Sequence, residues 1–154
     1  MLKADFIRRA SACERRLYRI SRTMLPCDAD CEDAVQEALL RAWSKRDSLR
    51  EEAYFETWLV RILINECRSF HRRRQNSTAE LPGNLSAPQQ ESTLLEALTA
   101  LPEKHRIALE LHCIEGYSVR ETANILHLPE GTVKWRLNRG RALLKQELGE
   151  EADL

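Results

Sequence analysis

The amino-acid sequence predicts an all-α protein made of two small helical domains joined by a flexible linker. Apolar residues recur at helical spacing on both sides of a polar stretch, residues 75–90. The 154 residues are enough for two small domains, and five Gly and five Pro are too few for a loop-rich or all-β chain. A hydrophobic share of 43% suits packed helices and excludes a disordered chain.

Three helices are predicted in the N-terminal half, and they can share one core. The first runs from Asp5 to Met24 and stops before Pro26. The second begins near Asp30, whose side chain is expected to cap it, and fades near residues 45–47. The third begins near Phe55 and runs into a cluster of arginines. The apolar stripe of the second helix consists of Ala34, Val35, Ala38, Leu39, Ala42 and Trp43.

The C-terminal half contains a predicted helix-turn-helix. Helical spacing resumes at Leu94 and breaks at Pro102, which we expect in the first turn of the next helix, where its missing N–H is not needed. A short helix over residues 118–126 and a turn over residues 127–129 follow. A longer basic helix, from Thr132 to Leu148, completes the pattern.

This last helix has a predicted core face and a predicted DNA face. The core stripe, at 3.6-residue spacing, consists of Val133, Leu137, Gly140 and Leu144. Residues 131–146 include no acidic residue, so the Glu–Lys spacing that neutralises an ordinary solvated helix is absent. Asn, Lys and Arg can read base edges or hold phosphates, whereas a merely solvated basic face is the alternative interpretation. The predicted DNA contacts are Thr132, Lys134, Trp135, Arg136, Asn138, Arg139 and Arg141.

Charge is distributed unevenly although the formal net charge is zero. Acidic residues cluster over residues 28–37, and basic residues cluster over residues 68–74 and 134–145. One acidic surface for a protein and two basic surfaces for a polyanion would give this balance. No window has the roughly 18 to 20 continuous apolar residues of a membrane helix, and the start lacks a signal-peptide core, so we expect a cytoplasmic protein.

The five cysteines are expected to be free thiols. They are odd in number and irregularly spaced, and only Cys27 and Cys31 are close in sequence. This pair resembles half of a zinc or redox site, but no second pair with ligand spacing lies nearby. We therefore predict no metal and no cofactor.

Three segments together resemble the extracytoplasmic-function (ECF) sigma factors. ETANILHLPEGTVKWRLNRGRALLK resembles that family's promoter-reading end, EDAVQEALLRAW its polymerase-binding helix and WLVRILINECRSFHRRR its DNA-melting helix. The resemblance covers nearly all of the chain, with the segments in the family's order. It implies a region-2 domain over residues 1–74, a linker over residues 75–91 and a region-4 domain over residues 92–150.

The resemblance also implies roles for the first two segments. On the second helix, the residues implied to dock on the β′ clamp of RNA polymerase are Asp33, Gln36, Glu37, Leu39 and Trp43. An acidic stripe beside apolar residues suits a basic helical partner, although an acidic bias that only complements the helix dipole is the alternative. On the third helix, the residues implied to contact the minus-10 element are Arg61, Asn65, Arg68, Ser69, Arg72 and Arg73. Arg74 is expected to join Arg72 and Arg73 in contacting the DNA backbone, although an ordinary charged helix end stabilised by the dipole is the alternative. The connection over residues 48–55 corresponds to the family's loop that captures an unstacked base. Trp58 is expected to belong to the core rather than to form a stacking platform.

Two departures from the family pattern leave the promoter sequence open. Many relatives have Asp or Asn in place of Ser69, and many have Ser in place of Trp135. The indole of Trp135 either packs against a thymine methyl group or lies along the sugar–phosphate edge, and the sequence does not choose between these.

The resulting hypothesis is a non-enzymatic sigma factor. Its implied partners are core RNA polymerase, through the β′ clamp and the β flap, promoter DNA and an anti-sigma factor, and its linker would thread toward the polymerase cleft. A self-sufficient dimeric helix-turn-helix regulator is the alternative, but it leaves the acidic EDAVQE stripe unexplained. A nuclease that holds a metal with Glu32, Asp33 and Glu37 is a third class, disfavoured because the histidines are scattered.

Overall fold

The computed structural model describes residues 1–76 and 93–149, and these form two compact units, one within Met1–Ser86 and one within Ala87–Leu154. Every regular element in the described ranges is helical, which confirms the predicted all-α class. None of the helices in these ranges combines the length and the apolar character required to cross a membrane. Residues 77–91, most of the predicted linker, lie outside the described residues.

The first unit is a bundle of three helices. They are α1 (Lys3–Met24), α2 (Asp28–Ser44) and α3 (Phe55–Asn76), and each packs on the other two. Short 3-10 turns, Arg46–Ser48 and Glu52–Tyr54, connect α2 to α3. Because α3 continues through Asn76, the helix extends past the arginine cluster. The largest fully buried side chains of the bundle are Leu17, Ile20, Leu59, Val60, Leu63 and Ile64.

Asp30 does not cap α2, so that prediction is wrong. The helix begins at Asp28, and its N-cap residue, Cys27, makes no side-chain capping bond. Asp30 lies inside the helix and is only 5% exposed. Its carboxylate accepts two hydrogen bonds from the Arg74 guanidinium of α3, Nη2 to Oδ1 at 2.8 Å and Nε to Oδ2 at 3.0 Å. A buried carboxylate needs such a partner, and α3 supplies it.

The second unit contains four α-helices in the described residues. They are α4 (Thr93–Thr99), α5 (Glu103–Leu109), α6 (Val119–Leu126) and α7 (Glu130–Leu148), and a π-helical turn, Glu110–Ile114, continues α5. The three shorter helices all pack against α7. This arrangement confirms the helix-turn-helix order read from the sequence.

Local interactions explain where these helices begin and turn. Ser118 and Glu121 form a reciprocal capping box at the start of α6, with both hydrogen bonds 3.0 Å long. His127 adopts a left-handed conformation, with φ of 56°, and reverses the chain before α7. Pro102 is the N-cap residue of α5 rather than part of its first turn, and α7 begins at Glu130, two residues before its predicted start.

Gly140 allows α7 to approach α5 closely. The buried residues of α7 are the four predicted ones, Val133, Leu137, Gly140 and Leu144. A Cβ at position 140 would lie 3.0 Å from Cδ1 and 3.2 Å from Cγ of Leu109, which is itself 2% exposed. The absence of a side chain at this position therefore sets the distance between the two helices.

Gly140→Ala is expected to destabilise the second unit by about 1 to 3 kcal/mol, because the added methyl group overpacks the contact with Leu109 and outweighs the gain in helix propensity. Gly131→Ala in the same helix is the matched control. Nothing lies within 4 Å of a Cβ at position 131, so this change should stabilise by about 0.5 to 1 kcal/mol. Urea denaturation followed by far-UV circular dichroism measures both; equal effects would contradict the account.

Candidate functional site

The outward face of α7 carries the predicted DNA contacts. Four of them are exposed: Lys134, Trp135, Asn138 and Arg139. The other three, Thr132, Arg136 and Arg141, are half-buried at the margins of that face. Because the opposite face is fixed in the core by the buried stripe, these polar and basic groups are presented together to the solvent.

Both marginal arginines make contacts with preceding elements, Arg136 through its backbone and Arg141 through its side chain. The backbone carbonyl of Arg136 accepts a hydrogen bond from Nδ1 of His105, at 3.2 Å. Burial lowers the pKa of His105, which favours the neutral ring at this junction. The Arg141 guanidinium lies 3.6 Å from Sγ of Cys113, an exposed cysteine in the π-helical turn. Both contacts join residues about thirty positions apart, so the sequence alone gave no sign of them.

The predicted minus-10 residues lie on the less buried side of α3. Asn65, Arg72 and Arg73 are exposed, whereas Arg61, Arg68 and Ser69 are half-buried. The guanidinium of Arg73 lies 4.4 Å from the ring centroid of Phe70, in cation–π geometry. The helix thus offers cations and hydrogen-bonding groups along one side.

Arg74 does not join its neighbours in a free basic cluster, contrary to the sequence expectation. Its guanidinium donates two hydrogen bonds to the Asp30 carboxylate, and these bonds and the negative charge of Asp30 raise the pKa of Arg74. A second ion pair crosses the same two helices, between Arg41 of α2 and the buried Glu66 of α3. The run of three arginines at residues 72–74 therefore contains one structural residue and two outward ones.

We expect Arg74→Ala to destabilise the first unit clearly more than Arg73→Ala does, because it leaves the buried Asp30 carboxylate without a partner. Arg73→Ala, the adjacent exposed residue, should change the stability by no more than about 0.5 kcal/mol. Thermal unfolding of both variants tests the distinction. A loss of stability that is equal in the two variants would show that the ion pair has no special structural role.

The loop between α2 and α3 is held by contacts to α1. Arg9 donates to the backbone carbonyl and to the carboxylate of Glu52, both at 3.1 Å, and just after the loop Arg16 pairs with Glu56 in the first turn of α3. Tyr54, at the end of the loop, is 60% exposed. The loop, α1 and the start of α3 border an open pocket of about 280 Å³, which is lined by Arg9, Ala12, Cys13, Glu52, Ala53, Phe55 and Glu56. Trp58 is half-buried, with its ring 5.9 Å from that of Phe55, and so lies at the margin of the core rather than inside it.

The face of α2 that carries the predicted polymerase-binding residues is acidic at one end and apolar at the other. Asp33 and Gln36 are exposed and Glu37 is half-buried. Leu40 is 65% exposed, and sequence reasoning missed it although it follows Glu37 by three positions and so lies near it on the helix.

Leu39 and Trp43 are partly engaged within the bundle. Leu39 is half-buried and lines a groove of about 910 Å³ between α1 and α2. The ring of Trp43 lies 5.2 Å from that of Phe6 and 3.9 Å below the guanidinium of Arg46. Their predicted polymerase contacts would involve only the exposed parts of these side chains.

The cysteines and carboxylates do not form a metal centre in the part of the chain that the structure describes. No group of three or more His, Cys, Asp or Glu side chains there could hold a metal ion. Cys27 and Cys31 are both buried free thiols. Burial raises the pKa of Cys13 and of Cys31 to about 11 and also raises that of Cys67, so these thiols are poor nucleophiles and poor ligands.

These surfaces define a class of protein: a helix-turn-helix transcription factor with a second helical unit that bears an acidic helix face and a cationic one. Two known families match the two units separately, Sigma-70 region 2 over residues 10–77 and Sigma-70, region 4 over residues 92–144.

Individual relatives match along both units. The ECF RNA polymerase sigma factor SigM of Mycobacterium tuberculosis is 37% identical, over 88% of this chain and 72% of its own length. SigW of Bacillus subtilis, another ECF sigma factor, is 29% identical, over 86% of this chain and 83% of its own. The sigma factor RpoE of Bartonella quintana, solved with the anti-sigma factor NepR, superimposes with a TM-score of 0.81 at 27% identity and covers 96% of this chain and 99% of its own.

The chain belongs to the ECF family of RNA polymerase sigma factors. It is an alternative sigma factor, which directs core RNA polymerase to particular promoters. Sigma factors are non-enzymatic, DNA-binding transcription initiation factors.

Proposed function

We propose that the two units divide promoter recognition between them. The first unit binds core RNA polymerase through α2 and the minus-10 element through α3, and the second unit binds the minus-35 element through α7. The observation that carries this proposal is the separation of surfaces on α7, where the buried stripe lies opposite an acid-free face with four exposed polar or aromatic residues. Such a helix fits the major groove with its basic side toward the DNA.

The acidic face of α2 is the proposed polymerase contact. Asp33 and Gln36 are exposed and adjoin the half-buried Glu37, so a basic helical partner such as the β′ clamp could pair with them without unfolding the bundle. Leu40 extends this face with an exposed apolar side chain. By family resemblance the second unit would contact the β flap, and the complex would act in the cytoplasm.

On α3, the proposed minus-10 contacts combine base-reading and backbone-holding groups. Asn65 and Ser69 are four positions apart and so share a side of the helix, where their side chains can hydrogen-bond to unpaired bases. Arg72 and Arg73, which are exposed at the end of the same helix, are placed to hold phosphates. Arg74 is not included, because its guanidinium is committed to Asp30.

Two modest contacts suffice for a specific promoter when polymerase holds both units on one DNA molecule. Linking two binding modules raises the effective concentration of the second to about the millimolar range, so their affinities combine. This explains why neither unit needs to bind its element tightly when it is separate from polymerase.

We further infer that an inhibitory anti-sigma factor binds the free protein. Both units expose large apolar side chains that a covering partner would bury, namely Leu40 at 65% and Ile114 at 42% exposure. The related RpoE of Bartonella quintana has been solved in a complex of this kind with NepR.

Run-off transcription with core RNA polymerase, followed by sequencing of the transcript ends, tests the proposed function. We expect the purified chain to produce transcripts that begin at defined positions on genomic fragments, because it supplies both promoter contacts. Core enzyme alone is the control. If the chain bound promoter duplex tightly as a dimer without polymerase and gave no defined starts, the self-sufficient regulator would be the better description.

A double variant, Asp33→Ala with Glu37→Ala, should weaken association with core polymerase by about tenfold, because it removes the charges that pair with a basic partner. Arg139→Ala should leave the association with polymerase intact and weaken binding to the minus-35 element by about 1 to 3 kcal/mol. Polymerase co-purification and promoter binding by the holoenzyme measure the two steps.

Glu147→Ala and Arg8→Ala are the matched controls for this pair of tests. Both residues are exposed and lie away from the proposed contacts, in the last turn of α7 and in α1. Impairment of the same step to the same extent by the acidic and the arginine variants would disprove the division between the units.

A further inference from the structure

The side chain of Trp135 does not point straight out from α7. Trp135 lies between Val133 and Leu137 in sequence and so opposite the buried stripe, which would direct the indole toward the middle of a bound groove. The ring instead lies 5.6 Å from the ring of His105, between centroids, at an interplanar angle of 48°. The indole therefore leans onto α5, although the residue remains 57% exposed.

His105 supports the indole from a fixed position. It is only 3% exposed, and its Nδ1 donates to the carbonyl oxygen of Arg136 at 3.2 Å. The close approach at Gly140, where a Cβ would lie 3.4 Å from Cβ of His105, keeps α5 against α7. The tilt of the indole is thus set by the packing between the two helices.

Lys104 of α5 also lies close to the ring of Trp135. Its Nζ is 5.7 Å from the centroid of the Trp135 ring, within the range of a cation–π interaction, and the side chain is exposed. The indole therefore lies between the ammonium group of Lys104 on α5 and the cationic face of α7. An ammonium group next to an apolar ring is chemically suited to a phosphate next to a sugar.

We propose that Lys104 and Trp135 form a contact surface for the sugar–phosphate backbone at the edge of the recognition helix, which we call the α5 ledge. The inference rests on the proposed function, since it places the ledge beside the minus-35 duplex. An indole held against α5 is displaced from the base edges, so it contacts the backbone rather than a thymine methyl group. Base reading remains with Asn138 and Arg139, and the ledge adds affinity that does not depend on sequence.

The test uses holoenzyme assembled from the full chain and core RNA polymerase, on the promoter duplex that the run-off experiment identifies. Equilibrium binding is measured by fluorescence anisotropy at several KCl concentrations. The variants are Lys104→Ala, Trp135→Ala, Trp135→Phe and the double alanine change. Lys3→Ala, an exposed lysine of α1, is the matched control.

Lys104→Ala should lower the affinity about threefold and reduce the slope of log K against log [KCl] by about 1, since one phosphate contact is lost. The fold-loss of affinity caused by Lys104→Ala should be the same on the promoter and on duplexes with single base changes in the minus-35 element. Trp135→Ala should act in the same direction, Trp135→Phe should retain most of the affinity, and the double change should cost less than the product of the single changes.

Two results would overturn the α5 ledge. One is a Lys104→Ala variant whose affinity and salt dependence match those of Lys3→Ala. The other concerns DNA in which uracil, which lacks the methyl group, replaces thymine. If this replacement weakened binding by wild type but not by Trp135→Ala, the indole would be contacting a thymine methyl group and not the backbone. Should Trp135→Ala fail to fold, Lys104→Ala and Trp135→Phe still decide the matter. Failure of wild type to start at any defined position would instead reject the proposed function.

Discussion

The burial of one stripe of α7 is the constraint on which the second unit depends. Val133, Leu137 and Leu144 are each no more than 3% exposed, and Gly140 brings the helix against α5. A helix fixed on one side by close packing has no freedom to rotate, so the residues on its other side are presented in one orientation. The position of every proposed minus-35 contact follows from that apolar interaction, although none of the contacting residues takes part in it.

In the first unit, the equivalent constraint combines an apolar core with two ion pairs between α2 and α3. Asp30 pairs with Arg74 near one end of the helix pair, and Arg41 pairs with Glu66 further along it. Both carboxylates are buried, so loss of either arginine would leave a buried charge without a partner. The two ion pairs hold the helix proposed to bind polymerase at a defined place along the helix proposed to bind DNA.

Sequence periodicity predicted the parts of this fold that depend on neighbouring residues. The stripe of α7, the order of the helices and the turn at His127 were all read correctly, because each arises from contacts within a few positions. What the sequence could not predict depends on residues far apart in the chain. In sequence, Arg74 cannot be distinguished from Arg72 and Arg73, because its partner Asp30 is 44 positions away and comes within hydrogen-bond distance only in the folded bundle. The contacts of Trp135 with α5 were hidden for the same reason, and the exposure of Leu40 depends on how α2 packs.

The burial of the cysteines has a practical consequence. Four of the five thiols, Cys13, Cys27, Cys31 and Cys67, are enclosed in the first unit, whereas Cys113 is exposed in the second and lies 3.6 Å from the Arg141 guanidinium. A maleimide dye added to the folded wild-type chain should therefore attach at one place, without engineered cysteines. The attached fluorophore would sit at the margin of the α7 surface, where its emission could report promoter engagement in real time.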